Sequence, residues 1–206
     1  MHPIERLRYV ARAGSAPDYV LVGESMPALA AFAQDPNALL VALRQLIGRQ
    51  PESPGLLGLG ATMVQAMDPI AAGYDFVDQL SADLTASNAE AIASAEVGGT
   101  DVIDSIASGP GTLLCPGGTK AWVASARAAG RSLVVVTPMG SRLPKHLWQS
   151  YLERNGISES ATTESPPVTP ELLPLDTFDD LIDGVGVRPL DSWTPDCPDV
   201  IEIARH

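Results

Sequence analysis

Residues 109–120 hold the densest group of chemically useful side chains in this chain: Gly109-Pro110-Gly111, then Thr112-Leu113-Leu114, then Cys115-Pro116-Gly117-Gly118-Thr119-Lys120. A glycine-rich turn opening a helix exposes backbone N–H groups beside the positive end of the helix dipole, and that suits a phosphate. Gly117, Gly118 and Thr119 would form the cradle, and Lys120 would add charge. The spacing is not that of a Walker motif, which needs GxxxxGK[ST]. The same residues also make a tight strand-to-helix turn capped by Thr119, so the turn carries two readings.

Other reactive types are scattered. Cys115 precedes the turn, where a nucleophile could lie, yet no His or Asp is near it in sequence, and a small buried residue fits as well. His146 stands alone beside Lys145, as a surface histidine would. Asp104 approaches the carboxyl end of a strand, where doubly wound sheets bind ligands. Asp176, Asp179, Asp180 and Asp183 repeat at helical spacing and read as a solvated helix face. No metal-ligand constellation occurs, and no cofactor is expected.

The elements that must position these residues fall into two kinds. Residues 3–13 form an amphipathic helix with Ile4, Leu7 and Val10 or Ala11 on one face. A second helix covers about 18–33, and Pro27 should kink or divide it. A capping residue followed by proline then recurs as Asp35-Pro36, Ser53-Pro54 and Asp68-Pro69, each before an apolar-periodic run. Five or six helices in the first 95 residues predict a helical bundle.

Composition changes at Gly98-Gly99. Strands are expected at 102–106, 112–114, 133–136 and 172–175. Helices are expected at 119–129, with Trp122, Val123 and Ala126 on one face, at 144–154, and around 178–182. Residues 158–170 are polar and proline-bearing and read as a mobile loop. Strand–helix–strand alternation predicts a parallel, Rossmann-like sheet. The fold class is therefore α/β: a helical domain over 1–97, then a reduced Rossmann-like domain over 98–206.

Composition narrows the function classes. The 206 residues suffice for a core without disulfides or metal. The net charge of −12 argues against direct nucleic-acid binding, which needs cations to displace counterions from phosphates. No apolar run reaches the roughly 18 residues of a membrane span. The charged start MHPIERLRYVARA lacks the apolar core of a secretion signal. The expectation is a cytoplasmic protein with Cys115 and Cys197 both reduced.

The segments DSIASGPGTLLCPGGTKAW and RSLVVVTP resemble the superfamily of initiation factor 2B regulatory subunits and methylthioribose-1-phosphate isomerases. MHPIERLRYVARAG, RQPESPGLLGLGATM and RLPKHLW are similar to a shortened, actinobacterial-type branch of it. The resemblance implies a helical domain before a Rossmann-like one, and dimerisation through the latter. It also implies that the isomerase Asn and Lys positions fall on Cys115 and Pro116. The catalytic Asp position falls on Ser105, with Asp104 one residue off and so facing the other side of the strand. The stretch that carries the catalytic cysteine is nearly absent at 95–101. Only Gly117, Gly118 and Thr119 carry over. The expectation is a non-catalytic initiation factor 2B-like protein acting by protein–protein association, as a homodimer or with another protein. The alternative is a sugar-phosphate-binding protein or isomerase that takes a phosphorylated small molecule at the 109–120 turn.

Overall fold

The structure is a computed structural model that describes residues 2–12, 16–50, 53–107, 111–143, 145–154, 156–157 and 170–192. Gly109, Pro110, Cys197, His206 and residues 158–169 of the expected mobile loop lie outside the described residues. The chain forms two compact units, one built on residues 1–81 and one on 82–197.

The first unit is helical: α1 (Pro3–Arg12), α2 (Asp18–Ala30), α3 (Pro36–Arg49), α4 (Pro54–Gln65) and the start of α5 (Pro69–Glu96). The cap-plus-proline signals work as expected. The Asp35 carboxylate accepts from the N–H groups of Asn37 and Ala38, Ser53 Oγ from Leu56, and Asp68 from Ile70 and Ala71. Each cap fills N–H groups that have no partner inside the helix, and the proline lacks one to fill. Pro27 does not divide α2, which runs unbroken from Asp18 to Ala30 with the proline inside its last turn. Val22, Leu29, Leu43, Leu59 and Met63 are wholly buried in the core these helices share.

The second unit holds two sheets. In the first, β1 (Thr100–Asp104), β4 (Ser132–Val136) and β6 (Asp180–Asp183) run parallel in the order β1-β4-β6, and β7 (Gly186–Pro189) closes the edge antiparallel to β6. The second is antiparallel: β2 (Ile106–Ala107), β3 (Thr112–Cys115) and β5 (Glu171–Pro174) in the order β2-β3-β5. Strand β4 is covered on both faces, with Leu133 and Val135 in one apolar cluster and Val134 and Val136 in another. This explains its uninterrupted aliphatic run.

Several expectations are corrected. The expected strands at 112–114 and 172–175 do form, but in the antiparallel sheet. The run 102–106 is broken at Ser105, whose N–H donates to the Val136 carbonyl before the chain passes to β2. The expected helix at 178–182 is β6: Leu181 and Ile182, adjacent in sequence, are buried in the two different clusters on opposite faces of the sheet. Only part of the acidic run is a solvated face: Asp176 and Asp179 are exposed and Asp180 is half-buried. Asp183 is buried and ion-paired with Arg142 and Arg188. Helix α6 (Thr119–Ala128) buries Thr119, Val123 and Ala126, while Trp122 stays exposed. On α7 (Lys145–Arg154), Trp148 and Tyr151 stack with ring centroids 5.9 Å apart and are buried. Among the described residues, no helix is long and apolar enough to cross a membrane.

Candidate functional site

The turn that the sequence singles out lies between β3 and α6. Pro116 follows the last residue of β3 and has no N–H to offer. Its carbonyl accepts both the N–H and the hydroxyl of Thr119, so the Thr119 side chain is already engaged. Gly118 sits at φ +85°, a backbone region that side-chain-bearing residues rarely adopt, and this lets the chain turn directly into the helix. The Thr119 N–H is spent inside the turn, which leaves only the N–H groups that follow it for an anion.

A side chain from elsewhere meets them. Glu171 opens β5 and pairs in register with Cys115, which sets its carboxylate over the start of α6. Its Oε2 accepts the Lys120 N–H at 2.7 Å. Glu171 thus acts as a helix cap supplied from 51 residues away, a favourable match of negative charge to the positive helix end. Nothing local in the sequence announces it, since the contact depends on the β3–β5 pairing.

A cavity of about 400 Å³ opens beyond the carboxyl ends of β1 and β4. Asp104, Ser105, Cys115, Pro116, Val136 and Pro138 are among its lining residues. The fold thus gathers the positions onto which the resemblance maps catalytic roles. It does not bring Gly117, Gly118, Thr119 or Lys120 into that lining. Asp104 is exposed at the mouth, whereas Ser105 is buried and its hydroxyl has no hydrogen-bond partner among the described residues.

Cys115 is buried and free. Burial first, and the Glu171 carboxylate second, push its thiol up to about 12. A nucleophilic cysteine needs the opposite, a cationic and partly open setting that favours thiolate. A nucleophilic role for Cys115 is therefore not supported. Asp101, at the other end of β1, is bound to Arg131 at 2.5 Å and ties β1 to the start of β4. No group of three or more His, Cys, Asp or Glu residues suited to a metal occurs among the described residues.

Sequence reasoning also missed the Asp183 cluster. Arg142 and Arg188 both donate to Oδ2, and the Val185 N–H donates to Oδ1 at 2.9 Å. Beside it, Asp83 accepts the Met139 N–H at 2.7 Å, close enough to Gly184 that any Cβ there would collide with the carboxylate. These contacts hold the β6–β7 hairpin against the loop after β4.

No family model and no curated protein matches the chain. Solved structures do. The translation initiation factor eIF-2B of Pyrococcus horikoshii OT3 matches with a TM-score of 0.61 at 8% identity, over 90% of this chain and 96% of that one. A chain of the tetrameric eIF2B-beta2-delta2 complex from C. thermophilum gives 0.63 at 9%, over 92% and 90%. The eIF2B beta subunit of Chaetomium thermophilum gives 0.55 at 9%, over 98% and 90%. The chain has the fold of these eIF2B subunits.

Proposed function

We propose that this chain is a non-catalytic initiation factor 2B-like protein that works by associating with other protein chains, first of all a second copy of itself. The observation that carries this reading is the Glu171 carboxylate on the Lys120 N–H. A phosphate brought to this helix start would meet a fixed negative charge where it needs a donor. Pro116 offers no N–H, and Cys115 is held as a thiol. One of the chains with this fold belongs to a tetrameric complex. In the second unit β7 is also an edge strand, with Val187 on it and Val185 in the turn just before it in solvent, at 45% and 82% exposure. An exposed edge of this kind is covered most simply by another chain.

The second reading is a sugar-phosphate-binding protein or isomerase that uses Gly117, Gly118, Thr119 and Lys120. A cavity of about 400 Å³, within the usual range for a small ligand, opens beside Cys115 and Pro116 just before the turn and favours a ligand there, although those four residues do not line it. It requires Glu171 to yield its place.

Sedimentation velocity separates the two. The association reading expects a concentration-dependent dimer that Val185→Asp with Val187→Asp returns to monomer. A wild-type chain that stays monomeric at high micromolar concentration would sink it. A thermal-shift screen with sugar phosphates runs alongside. A shift lost in Gly118→Asp and enlarged in Glu171→Gln would move the assignment to the second reading. At about 100 times its dissociation constant a ligand adds roughly 2.7 kcal/mol, a readily measured change.

A further inference from the structure

The helical unit carries a second surface, distinct from the β7 edge, whose residues are graded along its length. Helices α1 and α3 flank a groove of about 800 Å³. One wall presents Ile4, Arg8 and Arg12, spaced four residues apart along α1. The other presents Val41, Gln45 and Arg49 at the same spacing along α3. All six side chains are exposed. Leu7, Phe32 and Leu46 lie at the base, where they join or pack on the core of the unit.

The two walls are in step. The Gln50 side chain donates to the Val10 carbonyl at 3.1 Å and joins the C-terminal turns of α1 and α3. Arg12 and Arg49, each in the last turn of its helix, therefore stand at the same end of the groove. Asp35, the cap of α3, lies toward the other end. Between them are the exposed aliphatic side chains Ile4 and Val41. Arg8 is paired with Glu5 at 2.7 Å, an exposed pair that offsets part of its charge.

Arginine in a last helical turn is a common complement to the helix dipole and needs no ligand. The dipole does not, however, call for two such arginines to share one end of a groove floored and lined by aliphatic and aromatic side chains. The lining carries three cations against one anion, in a chain whose net charge is −12. We propose that this groove docks an acidic amphipathic helix of a partner protein. Its aliphatic face would lie on Ile4, Leu7, Phe32 and Val41, and the carboxylates of its C-terminal turn would meet Arg12 and Arg49. An amphipathic helix laid in an apolar groove is an established mode of peptide recognition. Here charge sets the direction: the positive N-terminal end of the helix lies toward Asp35, so the guest runs in the same sense as α1 and α3. The inference shares with the association reading only the premise that partners are proteins. It does not depend on the β7 edge.

The test uses the full chain and two fluorescein-labelled sixteen-residue peptides. One has leucines on one face and glutamates in its last turn, and its twin carries lysines in place of the glutamates. Fluorescence anisotropy should show the acidic peptide binding at least about tenfold more tightly, with affinity falling as salt rises. Arg12→Glu with Arg49→Glu should reverse the preference, and Val41→Asp should weaken both peptides. These positions are exposed, so far-UV circular dichroism should stay as in the wild type, and melting should drop only slightly, because glutamate in a last helical turn opposes the dipole. Equal binding of the two peptides, or a double variant that keeps the original preference, overturns the proposal. So does a double variant that changes the dimer equilibrium while neither peptide binds, since the groove would then be a self-interface. A chain that remains monomeric yet prefers the acidic peptide upholds the groove and counts only against the β7 edge.

Discussion

Asp18 in the helical unit and Asp179 in the α/β unit do similar work under opposite electrostatics. Asp18 joins the start of α2 to the start of α4: its carboxylate accepts the Ser53 hydroxyl and, at 2.7 Å, the Gly55 N–H. Burial outweighs both hydrogen bonds, and its carboxyl is raised to about 6. Asp179 joins α6 and β4 to the approach of β6, accepting from Arg127 and from the Leu133 N–H. Its partial burial pushes upward, but the Arg127 hydrogen bond, the Leu133 N–H, the Arg127 charge and Ser132 hold it below the usual carboxylate range. Asp18 anchors its chain as a desolvated acid among neutral donors, Asp179 as an acid matched to a guanidinium group. Asp183, between Arg142 and Arg188, repeats the second pattern.

This contrast can be pressed experimentally because the three tryptophans, Trp122, Trp148 and Trp193, all lie in the second half of the chain. Tryptophan fluorescence therefore follows the α/β unit, whereas far-UV circular dichroism is dominated by the helices. The largest effects belong to the two cores. Leu43 and Leu181 are both wholly buried, and replacing either with alanine should cost about 2–5 kcal/mol. Leu43→Ala should lower the dichroism midpoint more than the fluorescence midpoint, and Leu181→Ala the reverse. Equal shifts in both probes would mean that the units unfold as one, and the contrast would lose its thermodynamic meaning.

Next in size is Asp183→Asn, which leaves two arginines without their shared carboxylate. Breaking a fully buried pair costs about 3–5 kcal/mol; here Arg142 and Arg188 retain some solvent, so about 2–3 is expected, read by fluorescence in urea. An effect below about 0.5 kcal/mol would mean that the cluster is not an anchor.

The smallest effect has the most distinctive sign. The folded-state value of Asp18 lies above its unfolded value of 3.8, so the folded protein binds the extra proton. Its stabilising contribution is complete below pH 3.8 and is lost as pH rises through 6. The helical midpoint should therefore rise as pH falls from 7 toward 4.5, by up to about 2 kcal/mol in free energy. Asp179 has the opposite sign, and its contribution is lost only as pH falls below the usual carboxylate range. A helical midpoint that is flat or falling over that interval would remove Asp18 from the comparison.

The two units also differed in how far the sequence disclosed them. Asp35-Pro36, Ser53-Pro54 and Asp68-Pro69 announced three helices because a cap and its N–H partners lie within three residues of one another. Strand β6 was hidden for the converse reason. Asp176, Asp179, Asp180 and Asp183 mimic a helical period, while the arginines that engage Asp179 and Asp183, at 127 and 142, lie far back in the chain. Arg188, only five residues on, became informative once the β6–β7 hairpin was known. Glu171 over the glycine-rich turn is the same kind of case. The turn itself was legible from its composition, but its electrostatic character is set by the β3–β5 register. Trp122 misled because its spacing fits the buried face, although the helix keeps only Thr119, Val123 and Ala126 inside.

The strand order bears on how the chain is made as well as how it stands. In β1-β4-β6-β7, the strand that completes the parallel layer begins at residue 180, and β3 waits for β5 at residue 171. During synthesis the helices of the first unit can pack as they leave the ribosome, because among the described residues their core is built from the first 80. Both sheets stay unfinished until nearly the whole chain has emerged. For that interval β4, with aliphatic side chains on both faces, has β1 along one edge and its other edge unclaimed. The nascent α/β half is thus the part of this protein most in need of a chaperone.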